Sequence, residues 1–183
     1  LVIRFSSIGD IVLATSPLNT IRSAFPDAKI TFLTLEKFSS LLEFHPHIDR
    51  LISIPSKMKV KELFSFGGYL KRNGYDLIYD LHNSLRSNIV TFQSRSHVFQ
   101  LQKPRWKRMM LFYFHENYFD PQFSTRSMYH EYLGSIWNGD HSSIPPTLLR
   151  LSAGELKRGK RLISDLGIYE NYIAIVPGAA WNQ

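Results

Sequence analysis

The chain has no cysteine among its 183 residues, which excludes disulfides and thiol chemistry and suits a cytoplasmic enzyme. It also lacks any long apolar run. The longest, Met109 to Phe114, is far too short to span a bilayer, so the chain reads as soluble, and no signal-peptide pattern is visible. There is no Asp-x-Asp pair of the sort that holds a divalent metal on a sugar nucleotide, and the seven histidines form no i, i+4 pair on a helix face, so no metal site is expected. His45 and His47 flank Pro46 and read as turn residues. Gly-x-Ser-x-Gly, the Walker loop and Gly-x-Gly-x-x-Gly are all missing, which removes serine hydrolases, P-loop enzymes and the dinucleotide fingerprint.

One further absence is local. From Leu81 through His115 there is no Asp or Glu, while Arg86, Arg95, Lys103, Arg105, Lys107 and Arg108 supply positive charge, and His82, His97 and His115 can add more at mild acidity. Such a stretch either binds an anionic partner or forms a solvated cationic surface. The whole chain carries a formal charge of +7.

What is present is globular: 44% hydrophobic and 14% aromatic, enough for one good core and the beginning of a second. The chain starts at Leu1 rather than Met and stops just after a strand-like run and a phosphate-type turn, so it reads as a fragment of a longer protein. Strand-like runs at 1–5, 29–35, 50–54, 75–81 and 97–101 alternate with helix-like stretches at 11–24, 36–43, 57–73 and 84–93. This is the βαβ rhythm of a parallel sheet. Two more helices are expected within 105–116 and 125–137, and Gly67-Gly68 counts against the third helix. Asn138 to Pro146 is the one clear linker, which predicts a first domain over 1–146 and the start of a second over 147–183. In that second part 152–166 reads as a helix and 172–176 as a buried strand.

Three segments carry candidate chemistry. Arg4 to Val12 reads as a strand end, a polar turn and a helix start, so Asp10 stands where open α/β sheets bind ligands. A carboxylate there, beside a glycine that lets substrate approach the backbone, can take a proton from a bound hydroxyl; Asp is equally a favoured helix N-cap, and both roles can hold at once. Tyr75 to Ser87 repeats that layout and brings His82, Asn83, Ser84 and Arg86 toward the same crevice. Asp80, Asn83 and Ser84 also fit turn and cap chemistry, whereas an arginine in a first helical turn opposes the helix dipole and favours a binding role. The third segment, Ile175 to Trp181, runs a strand into Pro-Gly and small residues whose backbone N–H groups can cradle a phosphate.

Taken together, Arg4-x-Ser6-Ser7-x-Gly9-Asp10, Phe25-Pro26-Asp27-Ala28, Asp49-Arg50, Tyr75-Asp76 with Asp80-Leu81 and Leu85-Arg86-Ser87, and Pro177-Gly178-Ala179-x-Trp181 resemble glycosyltransferase family 9, the ADP-heptose:lipopolysaccharide heptosyltransferases. The resemblance implies an α/β, GT-B architecture of two Rossmann-like domains, of which this chain holds the amino-terminal acceptor domain and the truncated start of the nucleotide-sugar domain. It further implies inverting, metal-independent transfer of heptose from ADP-heptose to an anionic lipopolysaccharide inner-core acceptor, with Asp10 as general base and no cofactor. The acceptor would meet Ser6, Ser7, Gly9, His82, Asn83, Arg86, Arg105, Lys107 and Arg108. The donor would meet Pro177, Gly178, Ala179, Ala180 and Trp181, where many relatives carry a hydroxyl residue and this chain offers backbone donors alone. The expected setting is cytoplasmic, in peripheral contact with the inner membrane, and this piece by itself is expected to be folded but silent. Another nucleotide-sugar or acceptor within the family is the alternative. A basic nucleic-acid-binding module would explain the 81–115 charge but leaves Asp10 and the Pro-Gly turn without a role, so no nucleic-acid partner is expected.

Overall fold

The computed structural model describes residues 1–175. Strands β1 (Val2–Ile3), β2 (Thr31–Leu35), β3 (Arg50–Ile54), β4 (Leu77–Asp80) and β5 (His97–Gln100) build one parallel sheet in the order β3-β2-β1-β4-β5. The chain winds outward from β1 in one direction to β3, then returns to lay β4 on the other side of β1. Val2 and Ile3 therefore pair with Phe32 and Leu33 on one flank and with Tyr79 and Asp80 on the other. The gap between β1 and β4 is the point where strand order reverses, and in open α/β sheets the crevice at the carboxyl end of that point is the ligand site.

Strand residues alternate between two faces, and each face has its own core. Val2, Phe32 and Tyr79 pack with Leu18, Ile21, Met128 and Tyr129 on one side, against helices α2 (Ser16–Ala24) and α6 (Thr125–Glu131). Ile3, Leu33 and Ile78 pack with Leu63, Leu70 and Val90 on the other, against α3 (Val60–Asn73) and α4 (Leu85–Thr91). Burying a side chain such as Leu18 or Phe32 completely contributes about 1.5–3 kcal/mol, so these layers hold the sheet edge rigid beneath the site.

The helices depart from expectation where capping and proline decide. A single helix over 11–24 is replaced by α1 (Ile8–Leu13), which begins at Ser7 rather than at Asp10, and by α2, which restarts at Ser16 with Pro17 in its first turn. Proline has no N–H for the preceding turn, so a continuous helix is excluded there. The exposed ends are used: Thr15 Oγ1 accepts from Leu148 N–H at 2.9 Å and Ser16 donates to the Pro145 carbonyl, which draws the proline-rich segment onto α2. The 36–43 stretch is a 3-10 turn, Glu36–Leu41. Helix α5 (Arg105–Met109) runs on into a π-helical turn, Met110–Phe114.

Two compact units result, Leu1–Arg150 and the part from Leu151 on. In the second, α7 (Ala153–Asp165) starts as expected at Ser152, whose hydroxyl and N–H engage Glu155. The strand expected over 172–176 is absent over Tyr172–Ile175, which are exposed coil; a lone strand leaves its N–H and C=O groups unpaired, and among the described residues no neighbouring strand meets them. Val176 lies outside the described residues.

Gly67, which seemed to weaken α3, is required by packing. A Cβ there would lie 2.8 Å from the Val90 carbonyl oxygen of α4, whereas one on Gly68 would meet nothing nearer than Gln93 Oε1 at 3.6 Å. Gly67→Ala is therefore expected to lower stability by about 1–3 kcal/mol despite alanine's better helix propensity, and Gly68→Ala to raise it by up to about 1 kcal/mol. Urea unfolding of the two variants separates them, and equal stabilities would refute the close approach of α3 and α4.

Candidate active site at the switch point

The site is assembled around Arg4, the residue after the β1 core pair. Its backbone N–H donates to the Leu33 carbonyl of β2 at 3.0 Å, and its side chain, 7% exposed, runs along the crevice between β1 and β4. One guanidinium nitrogen donates to the Leu81 carbonyl at 2.5 Å and the other reaches Asp10 Oδ2 at 2.6 Å. Tyr129 of α6 stacks its ring beneath the guanidinium carbon at 5.6 Å and directs its hydroxyl to Asp10 Oδ1 at 3.4 Å. Two parts of the chain distant in sequence, residues 4–10 and Tyr129, thus meet at one carboxylate, and Arg4 ties it to a third at Leu81.

Asp10 is not the helix N-cap. It is the third residue of α1, and its Oδ2 accepts from Ser7 N–H at 3.0 Å and Ser7 Oγ–H at 2.9 Å, which is the acceptor half of a capping box. Oδ2 is consequently saturated by Ser7 and Arg4. Among the described residues Oδ1 has only the long contact to Tyr129, and the side chain as a whole is one-third exposed. Partial burial pushes the Asp10 pKa up, but the Ser7 N–H bond and the Arg4 guanidinium outweigh it and hold the carboxyl below its ordinary range. It is ionised at neutral pH. Burial, chiefly, raises the Tyr129 pKa, and the neighbouring Asp10 charge adds to this, so its hydroxyl remains a donor.

The β4 turn arrives beside it. Asp80 is fully buried and its Oδ1 accepts from the N–H groups of His82 and Asn83 at 3.0 and 2.9 Å, the turn role expected of it; burial raises its pKa. Asn83 has a φ of 39° and donates from its side chain to the Leu101 carbonyl at 2.6 Å, and Ser84 caps α4. These are structural assignments for two residues that also line the turn. His82 packs edge-on to Phe5 at 5.2 Å, and burial first, then the Arg4 and Lys103 charges, lower its pKa to about 4. It is therefore a neutral imidazole and adds no charge at mild acidity, contrary to expectation. Arg86 also has a structural bond, donating to the Ser56 carbonyl at 2.7 Å, and its charge acts on His82.

The cationic stretch divides. Lys103 donates to the Asn83 carbonyl at 3.3 Å, with its pKa lowered by burial and by the neighbouring Arg4 and Arg105 charges. The Arg105 charge acts on Lys103 and the Arg108 charge on Tyr129, so both belong to the electrostatic surroundings of the site. Lys107 instead sits over the rings of Trp106 and Phe119, each at 6.0 Å. Gly9 has open space where a Cβ would be, so nothing among the described residues demands a glycine there, and Ser6 is half-buried nearby. Pro177, Gly178, Ala179, Ala180 and Trp181 lie outside the described residues. Among the described residues no three His, Asp or Glu side chains converge to hold a metal, and no helix is long and apolar enough to cross a membrane. His45 closes its turn as expected, its Nδ1 accepting from His47 N–H at 3.2 Å.

No family model matches the chain. It is 32% identical over 91 residues to lipopolysaccharide heptosyltransferase 1 of Campylobacter coli, covering 49% of this chain and 27% of that protein. It is 33% identical over 78 residues to lipopolysaccharide heptosyltransferase 3 of Escherichia coli K12, covering 40% of this chain and 23% of the relative. Over those segments the chain is similar to lipopolysaccharide heptosyltransferases. In fold, a glycosyl transferase family 9 structure from Veillonella parvula superposes with a TM-score of 0.68 at 20% identity, over 99% of this chain and 55% of that one. The E. coli ADP-heptose lps heptosyltransferase II does so with a TM-score of 0.62 at 20% identity, over 89% and 50%. The chain thus spans about half the length of the solved proteins it resembles, and its matched segment about a quarter of its sequence relatives.

The buried histidines give the site's surroundings a pH dependence. His82 and His45 both have pKa values drawn to about 4 from an ordinary 6.5, His45 by burial and then by the His47 and Arg150 charges. The unfolded chain therefore binds these protons more readily, so stability is full above pH 6.5 and is lost as pH falls toward 4. Asp10 adds its own loss only below its ordinary value of 3.8. In urea unfolding at pH 7 and pH 4.5, His82→Gln should lose on the order of 1–3 kcal/mol less than the parent; parallel losses would mean that His82 titrates normally.

Proposed function

We propose that this chain is the acceptor-binding part of an inverting glycosyltransferase that moves heptose from ADP-heptose to an anionic lipopolysaccharide inner-core acceptor, with Asp10 as general base. The observation that carries the reading is the Asp10 carboxylate: at the carboxyl edge of the switch point, ionised, one-third exposed, one oxygen saturated and the other with only a long contact to Tyr129 among the described residues. Its relatives by sequence are lipopolysaccharide heptosyltransferases, and one solved neighbour is a heptosyltransferase with ADP-2-deoxy-2-fluoro heptose.

In this reading Arg4 and Ser7 fix Oδ2 and so aim Oδ1 at the acceptor hydroxyl. The hydroxyl oxygen attacks the anomeric carbon from the face opposite the diphosphate, the bond to the departing ADP breaks, and the hydroxyl proton passes to Oδ1. A base made weak by Arg4 is adequate, because an alcohol attacking an oxocarbenium-like centre becomes strongly acidic only as the bond forms. The leaving diphosphate is a stable anion, so no second carboxyl is needed to protonate it, unlike in a glycosidase, and the reaction requires no metal. Lys103, Arg105 and Arg108 would hold the acceptor's phosphate or acidic sugars, Arg86 assists with its free donors, and the open space at Gly9 admits the acceptor against the backbone. Residues 1–146 would form this acceptor domain, and residues 147–183 would open the nucleotide-sugar domain, with the donor at 177–181. The setting would be the cytoplasmic face of the inner membrane.

In the intact protein, assayed for heptose transfer from ADP-heptose, Asp10→Asn is expected to lower turnover by about two orders of magnitude or more with donor binding retained. Near-normal turnover would leave Asp10 only its role at the α1 terminus. Arg105→Gln combined with Arg108→Gln should raise KM for the anionic acceptor and flatten its salt dependence while leaving KM for the donor unchanged; Lys107→Gln, whose ammonium sits over aromatic rings, should do far less. Unchanged acceptor kinetics at low salt would make the cationic stretch a solvated surface.

A further inference from the structure

The aromatic side chains of the segment after β5 form a surface that the transfer chemistry does not use. Across α5 and the π-helical turn that extends it no residue is buried. Trp106 is 55% exposed, Phe112 76%, Tyr113 70% and Phe114 62%, in a chain whose sheet is sealed on both faces. Water-exposed aromatic side chains in such a run are costly for a surface that stays in water and mark a partner or a membrane. Arg105, Lys107 and Arg108 lie on the same short segment, and the nearest acids in sequence, Glu116 and Asp120, come only after it. Lys107 lies beside the Trp106 ring rather than in an ion pair.

We propose that this segment, Trp106 to Phe114, is the surface by which the protein docks on an anionic lipid bilayer, an inference that rests on the reading of its acceptor as a membrane glycolipid. Charge complementarity selects this occupant. A second copy set symmetrically on the same face would bring two acid-free cationic segments together, whereas lipid phosphates neutralise them. The side-chain types fit the depth of a headgroup layer: Trp and Tyr settle at the polar boundary, Phe112 and Phe114 reach the acyl region, and the long Lys and Arg stems return their charges to the phosphates. Because the Arg105 charge acts on Lys103 and the Arg108 charge on Tyr129, two residues beside the crevice, docking here would set the crevice near the headgroup layer, where the sugar of a membrane-anchored glycolipid emerges.

The test is flotation of the intact protein with vesicles of phosphatidylglycerol and phosphatidylethanolamine, against vesicles of phosphatidylcholine alone, with Trp106 fluorescence recorded using brominated lipid. Binding to the anionic vesicles, weakened by salt, with Trp106 quenched, is expected. The triple variant Phe112→Ser, Tyr113→Ser, Phe114→Ser should bind them about tenfold more weakly or worse. All three side chains are exposed, so the fold should survive, and transfer to a water-soluble deacylated acceptor should be unchanged. Parent-like vesicle binding by the triple variant, or an unquenched Trp106, overturns the proposal. A concentration-dependent dimer abolished by the same variant would assign the face to a second copy, and displacement of vesicles by DNA with equal affinity would assign it to nucleic acid; either also overturns it. Vesicle binding without any heptose transfer by the parent protein would refute the proposed reaction while leaving the docking surface standing.

Discussion

Everything at the switch point depends on Arg4 being both buried and paired. A guanidinium with 7% of its side chain exposed cannot discard its charge, so the fold must surround it with acceptors. It does so with the Leu81 carbonyl and the Asp10 carboxylate, while the Arg4 backbone is tied to β2. One residue therefore couples the end of β4, the edge of β2 and the first turn of α1. The cost of leaving that charge unpaired is what makes the position of Asp10 so narrowly defined. Ser7 completes the constraint from the other side, through bonds that also satisfy the α1 terminus.

The same cation sets the chemistry of its neighbours. It holds Asp10 ionised, helps to keep His82 neutral, and with Arg105 lowers the proton affinity of Lys103. Fixed positive charge is thus concentrated where an anionic ligand would sit, beside a carboxylate whose Oδ1 holds, among the described residues, only the long Tyr129 contact. A stronger base would need a less cationic surrounding, which would weaken the hold on an anionic substrate. In the proposed reaction this balance favours binding and orientation over basicity.

Much of this was legible in the sequence because the sheet is built from local signals. Alternating runs, Phe25-Pro26 and the Gly74 stop placed all five strands near their observed positions, β3 at its observed bounds, since short parallel strands and their crossovers are punctuated by residues with special backbone chemistry. The start of α1 was misplaced although Ser7 and Asp10 stand three apart in a capping-box pattern; Asp is itself a good cap, and the pattern alone cannot say which of the two residues opens the helix. Gly67 looked like a helix weakness because its reason, the carbonyl of Val90 on another helix, is tertiary. Tyr172 to Ile175 read as a strand on propensity, but a strand exists only with a neighbour to pair with.

The residues missing from the sequence-level site fail to announce themselves for a common reason. Tyr129 sits on α6, 119 residues from Asp10, and Lys103 in the turn after β5, so no spacing relates them to the first motif; only the reversal of strand order between β1 and β4 brings them together. Arg4 was visible within its motif, yet its place after two core residues of a strand suggested nothing about direction. The sheet register decides that: Val2 and Ile3 go to opposite cores, and the next side chain is carried past the last residues of β4 into the crevice. A motif can therefore show which residues matter to a site of this kind, while the topology decides which of them can meet a ligand, which are scaffold, and which, like Asp10 in the proposed reaction, serve as both.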